Sequence, residues 1–140
     1  MAESTKVKLV RSIFADWERG DFGRADWADP EIEYVIADGP DRGSSTGLGS
    51  MAAAWRRVLS GYEELRAEAD EYRCLDDERV LVLFRRGGRG KRSGLEVAQI
   101  GSKGAQLFHV RGGRVTRYVT WHDRDRALAD LGLTLEGDTL

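Results

Sequence analysis

The chain has 140 residues, of which 33% are charged, and its formal net charge is −2. This length suits one domain with a sizeable core, and the near-neutral charge excludes a global electrostatic field that would attract nucleic acid or anionic lipid. The single cysteine, Cys74, excludes an internal disulfide and is typical of a reducing compartment. We interpret Cys74 as a buried, inert thiol. The charged N-terminal stretch and the lack of a long apolar run predict a cytoplasmic protein without a membrane partner.

Two helices and one strand are predicted in the first half of the chain. Residues 5–19 place apolar side chains at helical spacing, with charges on the other face and Gly20 as a stop. A strand rich in β-branched and aromatic residues follows at 32–38, and a loop of Gly, Ser, Pro and Asp follows at 39–47. A second amphipathic helix starts at about Leu48.

Strands dominate the second half. They are predicted at 65–74, 79–86, 93–100, 105–111 and 114–122, with Gly101 and Gly104 marking a bend or a bulge. Gly112 and Gly113 predict a tight turn with positive φ between the last two strands. Asp123 and Gly132 predict the start and the end of a short third helix. The order of elements is typical of an α+β fold, with helices packed on one face of a curved antiparallel sheet and a cavity between the layers.

One basic cluster interrupts the strands, formed by Arg85, Arg86, Arg89, Lys91 and Arg92. One interpretation is an RNA- or phosphate-binding loop. The other, which we favour, is a solvated hairpin tip, because no aromatic residues that could stack on bases lie among these charges. We therefore predict no nucleic-acid partner.

Four motifs follow one another along the chain. They are the helix end at 17–22, the strand 30–38 with Gly47 and Trp55 after it, the glycine-rich stretch 88–94, and 110–133, which contains Trp121, His122 and Asp123. In order and spacing the chain resembles the nuclear transport factor 2-like superfamily, and within it the SnoaL-like group, over residues 5–133. The resemblance implies one SnoaL-like domain over 1–140, with its core at about 5–133, and the cone-shaped cystatin-like fold with an internal cavity.

Alternation along the strands predicts which side chains face this cavity. By similarity to the hairpin of ketosteroid isomerase, the inward face of the last strand holds Thr116, Tyr118, Thr120 and His122. The opposite face holds Val115, Arg117, Val119 and Trp121. Its apolar stripe should meet a partner subunit or form the outer surface, which predicts a homodimer. On the other strands the predicted inward residues are Gln106, Phe108, Val110, Tyr34, Ile36 and Asp38, whereas His109 should lie outside.

The predicted ligand-binding residues line this cavity. They are Trp17, Tyr34, Trp55, Gln106, Phe108 and Tyr118. An apolar and aromatic wall with few polar groups is typical of a small-molecule site. The alternative is that the tryptophans and tyrosines are core residues. Gln106 is the most telling of these residues, because a buried amide without a partner destabilises the fold.

His122 is the first candidate for a catalytic residue, because an imidazole exchanges protons near neutral pH. Asp38 is the second. The alternatives are a hydrogen-bonded core histidine and a solvated turn carboxylate. Two histidines without clustered acidic or cysteine ligands predict no metal site, and no cofactor motif occurs.

The superfamily includes ketosteroid isomerase, limonene epoxide hydrolase, scytalone dehydratase, polyketide cyclases and non-catalytic binders, so function has to be argued from the site. Where ketosteroid isomerase carries its general base, this chain has Ile36, and where it carries the acid that donates to the oxyanion, this chain has Gln106. Ketosteroid isomerase activity is therefore expected to be absent or very weak. One hypothesis is a cofactor-free isomerase, cyclase or hydrolase on a small apolar or polyketide-like substrate, with His122 or Asp38 as acid/base. The others are a dimeric module that binds a small apolar ligand without turnover and a structural or interaction role.

Overall fold

The computed structural model describes residues 4–21, 23, 25–39, 42–59, 62–90 and 103–133. Its elements are α1 (Thr5–Glu18), β1 (Ala28–Ile36), β2 (Gly43–Thr46), α2 (Leu48–Leu59), β3 (Tyr62–Cys74), β4 (Arg79–Gly90), β5 (Lys103–Arg111), β6 (Arg114–Trp121) and α3 (Arg124–Leu131). β2 falls in the segment predicted as a loop, where it pairs with β1. The strand predicted at 93–100 lies outside the described residues.

The strands form one curved, unclosed sheet in the order β2-β1-β6-β5-β4-β3. Among the described strands, neighbours run antiparallel except β1 and β6, which are parallel. α1 packs on β3 and β4, and α2 packs on β1, β2 and β3. The predicted α+β class, with helices against a curved sheet, is confirmed.

α1 buries one face against the sheet. Its buried residues are Val7, Val10, Ile13, Phe14 and Trp17, the apolar positions at helical spacing. The Ser4 side chain accepts a hydrogen bond from Val7 N at 3.4 Å and caps the start, and Gly20 follows the end with φ of 80°. No described helix is long and apolar enough to span a membrane.

α3 covers the other face of the sheet. Asp123 caps its start by accepting a hydrogen bond from Asp125 N, and Gly132 ends it in the left-handed conformation, as predicted. Val119 and Trp121, each 5% exposed, pack in one cluster with the α3 residues Ala127 and Leu128. The apolar stripe that was expected at a partner subunit or at the outer surface is thus covered by the chain's own helix. The homodimer stays a prediction that has lost the observation on which it was based.

A β-bulge in β6 changes the predicted faces. Phe108 pairs with Tyr118 but Val110 pairs with Val115, so β6 has one residue more than β5 over this stretch. Val115 therefore lies, fully buried, in the same cluster as Tyr118. This cluster is on the side of the sheet that faces α1 and α2, which we call the helix-facing side; α3 covers the outer side. The prediction that Val115 shares the face of Val119 was wrong, because strict alternation ends at the bulge.

Two smaller predictions also need correction. Cys74 is exposed rather than buried, since it is the last residue of the edge strand β3 and its Sγ lies 3.8 Å from the carbonyl oxygen of Asp76 in the following turn. Gly104 marks no bulge, because the pairing of β4 with β5 is regular across it; Gly101 lies outside the described residues.

The turn at Gly112 and Gly113 is confirmed, with φ of 61° and 78°.

Gly104 is required by space, which gives a first prediction. A Cβ at this position would lie 2.7 Å from the Trp121 carbonyl oxygen and 2.9 Å from Arg86 Nη2. Because the carbonyl belongs to the neighbouring strand and cannot turn aside, Gly104→Ala should lower the free energy of unfolding by about 1–3 kcal/mol, measured by urea denaturation. Gly49→Ala is the control, since Gly49 is exposed in α2 with open space around it, and it should be neutral or slightly stabilising. Equal stability of both variants would contradict the account.

Candidate functional site

Three aromatic rings stack across the middle of the sheet. Tyr34 on β1 is level with Tyr118 on β6, which is level with Phe108 on β5. The ring centroids lie 5.0 Å apart for Tyr34 and Tyr118 and 4.9 Å apart for Tyr118 and Phe108, with interplanar angles of 22° and 18°. All three side chains are buried on the helix-facing side. The parallel alignment of β1 with β6 thus places both tyrosines predicted for the site side by side.

Tryptophans from the other layer pack onto this stack. Trp17 is 2% exposed and lies 6.3 Å from Phe108 and 5.5 Å from Trp55 between ring centroids. Trp55 is half-buried and donates a side-chain hydrogen bond to Tyr34. Trp27, which the sequence analysis did not assign to the site, is buried and packs 6.2 Å from Trp17. Trp17 and Phe108 are therefore core residues in this structure, whereas Trp55 also bonds the Tyr34 hydroxyl.

Gln106 lies on β5, two residues before Phe108 and on the same face, and carries a polar atom without a partner among the described residues. It pairs with Thr120, and its Nε2 donates to Thr120 Oγ1 at 3.5 Å. The residue is 6% exposed, and its Oε1 has no hydrogen-bond partner within the described part of the chain. A buried polar atom without a partner destabilises a fold by about 1–3 kcal/mol. As placed, the end without a partner is the acceptor Oε1, which pairs with a ligand donor; a flip of the amide would make Nε2 the free end, which pairs with a ligand acceptor.

The two tyrosine hydroxyls are neutral hydrogen-bond donors. Burial raises the pKa of Tyr34 to about 12, although the Trp55 hydrogen bond and the charge of Arg86 act in the opposite direction. Burial, and secondarily Tyr34, raises the pKa of Tyr118 well above its usual range, against Arg86 and the side chains of Thr120 and Gln106. Neutral phenols with their protons in place can donate to a ligand oxygen.

Arg86 is the functional candidate that the sequence analysis missed. It follows the buried helix-facing residues Val82 and Phe84 of β4 at the strand period of two. Its Nη2 donates to the Trp121 carbonyl oxygen at 3.4 Å, and its Cζ lies 5.0 Å from the centroid of the Phe84 ring. Arg85 points to the other side and pairs with Asp70, with Nε 2.7 Å from Oδ1. Arg85 and Arg86 thus lie on opposite faces of β4. Lys91 and Arg92 lie outside the described residues, so the solvated hairpin tip stays a prediction.

We call Tyr34, Arg86, Gln106, Tyr118 and Thr120 the polar cluster. All five belong to the helix-facing side of four neighbouring strands, β1, β6, β5 and β4. Continuing the alternation of β4 by one period of two residues beyond Phe84 would have added Arg86 to the prediction. The sequence analysis instead grouped Arg86 with its basic neighbours by composition.

Asp38 and His122 form a hydrogen-bonded pair beyond the ends of β1 and β6. Asp38 Oδ1 accepts from His122 N at 2.6 Å and lies 3.0 Å from His122 Nδ1, and Oδ2 accepts from Asp123 N at 3.1 Å. The Asp38 side chain is 6% exposed, whereas the His122 side chain is 47% exposed. His122 therefore lies at the exposed end of the strand and is not enclosed with Tyr118, Gln106 and Tyr34 as predicted.

The Asp38 carboxylate is ionised and held in place. Burial alone would raise its pKa, but the hydrogen bonds from the His122 and Asp123 backbone amides and from the His122 ring outweigh burial and hold the pKa below its usual value. Gly39 packs against the ring, because a Cβ there would lie 3.2 Å from His122 Nδ1. A carboxylate on Nδ1 fixes the orientation of an imidazole and leaves Nε2 to exchange protons.

His109, the second histidine, lies on β5 between Arg79 of β4 and Arg117 of β6. It alternates with the helix-facing Phe108 and Val110, so it belongs to the outer side, away from the polar cluster. Within the described residues, no group of three or more His, Cys, Asp or Glu side chains is arranged to hold a metal ion.

Comparison with known proteins agrees with this architecture. Residues 10–118 match the family model described as the SnoaL-like domain. No curated protein matches the chain.

Several solved structures share the fold. A nuclear transport factor 2-like protein of unknown function from Burkholderia pseudomallei K96243 superposes with a TM-score of 0.73 at 21% identity, over 91% of this chain and 97% of that chain. A candidate SnoaL-like polyketide cyclase from Jannaschia sp. CCS1 gives 0.69 at 17% identity, over 86% and 89%. TerC, co-crystallized with polyporic acid, gives 0.70 at 18% identity, over 91% and 98%. At these identities the likeness establishes the fold.

The bonds to Asp38 give a second prediction. Asp38→Asn should lower the free energy of unfolding at pH 7 by about 1–3 kcal/mol, because one acceptor oxygen becomes a donor that faces a backbone N–H. The folded-state pKa of Asp38 is lower than its unfolded value, so the carboxylate stabilises the fold above about pH 4 and loses this effect as pH falls through the folded pKa. The difference between wild type and variant should therefore shrink in acid. Urea denaturation at several pH values measures it.

His122→Ala is the control for this experiment. It removes the ring bond to Asp38 and keeps both backbone bonds, so it should destabilise the fold less than Asp38→Asn. A larger loss in His122→Ala would show that the ring, and not the backbone amides, holds the carboxylate.

Proposed function

Because the chain belongs to the SnoaL-like domain family, we propose that it binds a small, oxygen-bearing, mostly apolar molecule at the polar cluster. The further part of the proposal is that it transfers a proton on this molecule without a cofactor, as an isomerase or a cyclase. The substrate would be a ketone of polyketide-like character, and the Asp38–His122 pair would supply the acid/base.

The observation that carries the proposal is the unpartnered amide end of Gln106. This side chain is 6% exposed, bonds Thr120 and interacts with the neutral phenol of Tyr118. An apolar residue of the same size would avoid the destabilisation that an unsatisfied amide brings. With the amide flipped, so that Oε1 accepts from the Thr120 hydroxyl and Nε2 is the free end, a ligand oxygen that accepts from Nε2 and from the Tyr118 hydroxyl would complete the hydrogen bonds of the site.

The walls of the site suit a flat ligand. Tyr34 and Tyr118 present parallel rings, and the half-buried Trp55 closes the layer above them. Aromatic side chains of this kind contribute apolar area with a polar end, which orients a ligand that has a ring and an oxygen.

The proposed proton transfer depends on the order of Tyr118 and Thr120 on β6 and of His122 just beyond its end. Thr120 and His122 are two residues apart, which corresponds to about 7 Å along a strand. A ketone whose oxygen is bound by Tyr118 and Gln106 could place the neighbouring C–H bond near His122 Nε2. The imidazole would take this proton, the phenols would stabilise the enolate oxygen, and the proton would return to a different carbon in an isomerisation. In a cyclisation the enolate carbon would instead attack a second carbonyl, whose oxygen would take the proton.

The second candidate function is ligand binding without turnover. It is favoured by the exposed position of His122 and by the engagement of Asp38 with two backbone amides. A carboxylate so engaged orients the imidazole and fixes the strand end, which a binding module also requires.

Ligand binding gives a third prediction. 2-Tetralone and 2-naphthol should bind at least about fivefold more tightly than naphthalene, which lacks the oxygen, since one hydrogen bond corresponds to about 1 kcal/mol. Gln106→Leu should abolish this difference, as measured by isothermal titration calorimetry. Polyporic acid is a further probe, because TerC was co-crystallized with it.

His109→Leu is the matched control, because it changes a polar residue on the outer side of the same strand. It should keep the preference for the oxygenated probes. Equal affinity for naphthalene and 2-naphthol, or an unchanged preference in Gln106→Leu, would indicate that the residues around Gln106 form only the core of the fold and bind no ligand oxygen.

Proton transfer gives a fourth prediction. The wild-type protein should accelerate deuterium exchange at the methylene next to the carbonyl of 2-tetralone in D2O, followed by NMR. His122→Ala should slow the exchange by about 10²–10⁴-fold, the usual contribution of a general base. His109→Ala, the variant at the other histidine, should not. Exchange no faster than in buffer, together with measured binding, would favour the binding module.

A further inference from the structure

Arg86 is the one formal cation of the polar cluster, and we infer that it makes the site selective for an anionic oxygen over its neutral counterpart. The ligand group would be an enolate, a phenolate or a carboxylate on a small apolar body. This inference rests on the proposed function and adds the charge of the group that the cluster takes.

The first support is the placement of the guanidinium. Arg86 occurs one strand period beyond Phe84, on the side of β4 that faces the helices. The side chain does not extend away from the sheet, because its Nη2 bonds the carbonyl oxygen of Trp121 on β6, across the intervening strand β5. The cation is therefore held over the sheet, in the row next to Gln106 and Thr120.

The second support is the space that β5 provides. Arg86 Nη2 lies where a side chain of residue 104 would be, at 2.9 Å from the position of its Cβ. Gly104 and Gln106 are two residues apart and share a face, so the guanidinium lies about 7 Å along the strand from the residue with the unpartnered amide. A ligand oxygen bound to Gln106 would thus be close to a full positive charge.

The third support is electrostatic. The charge of Arg86 acts on both Tyr34 and Tyr118, lowering the pKa of each against the effect of burial. The field of the cation thus reaches both hydroxyls that would donate to the ligand. A ligand anion at this place would be stabilised by the same field, and more strongly than in water, because the surroundings are largely apolar.

Asp38 and Asp70, two acidic residues of the described part of the chain near this end of the sheet, are paired with other groups. Asp38 is ionised, but its oxygens accept hydrogen bonds from the His122 and Asp123 amides and from the His122 ring. Arg85 and Asp70 pair on the other side of β4. The competing explanation for Arg86 is a structural tie between β4 and β6 through the Trp121 carbonyl, which predicts no charge preference.

The experiment uses 4-nitrophenol, which ionises near neutral pH with a change in absorbance, and 4-nitroanisole, its neutral methyl ether. Bound to the wild-type protein, 4-nitrophenol should ionise at a pH lower by about one unit or more than in buffer, which is a tenfold preference for the anion. Arg86→Met should abolish this shift and weaken the binding of 4-nitrophenolate at least about tenfold more than the binding of 4-nitroanisole. Arg85→Met, the neighbouring cation on the opposite face, should keep the shift, and Arg86→Lys should keep most of it.

The outcomes separate the inference from the proposed function. If both probes bind and the ionisation of 4-nitrophenol is unchanged or moves to higher pH, the charge preference is wrong and the small-molecule site stands. If the shift persists in a folded Arg86→Met, Arg86 is only a structural tie. If neither probe binds, the proposed site fails and the inference with it. The wild-type measurement decides the charge preference even where a variant does not fold.

Discussion

The alignment of β1 beside β6 is the constraint on which the rest of the structure depends. Parallel neighbours have no connecting turn to set their register, so contacts between side chains and backbone must set it. Here a backbone bond from Val115 N to Trp27 O, 2.8 Å long, fixes one end, and the Asp38 carboxylate on the amides after β6 fixes the other. Between them Tyr34 stacks on Tyr118. A shift of one residue in the register of β1 and β6 would turn one tyrosine to the outer side and separate the residues of the polar cluster.

The two faces of the sheet are covered by different elements. The outer face is covered by α3, whose Asp130 carboxylate accepts a hydrogen bond from the Trp121 indole at 3.0 Å. The helix-facing side buries a continuous set of aromatic rings, and this apolar area offsets the unsatisfied amide of Gln106. Under the proposed function, a ligand would supply the hydrogen bond that this amide lacks.

The face of a side chain could be predicted from the sequence where strand pairing is regular, and was predicted wrongly where a bulge interrupts it. On β5, where no bulge occurs within the described pairing with β4, alternation placed Gln106 and Phe108 correctly on the helix-facing side. On β6 the bulge moved Val115 to the side opposite to the predicted one. β2 was read as a loop, because a Gly-Ser-Ser-Thr segment has no apolar pattern and becomes a strand only through pairing with β1. Pairings between distant segments leave no signal in a local pattern. The exposure of His122 likewise depends on where the surrounding elements end, which alternation cannot show.

The packing of the tryptophans also determines how the protein interacts with light. Trp17 lies 6.2 Å from Trp27 and 5.5 Å from Trp55, and Trp27 lies 6.0 Å from Trp55, between ring centroids. Electronic transitions of indoles at such separations couple, so we expect these three residues to give an exciton signature in circular dichroism. Trp121 belongs to the opposite face of the sheet and stays outside this unit. The chain therefore carries two separate optical reporters, a coupled one on the side that faces α1 and α2 and a single one beneath α3.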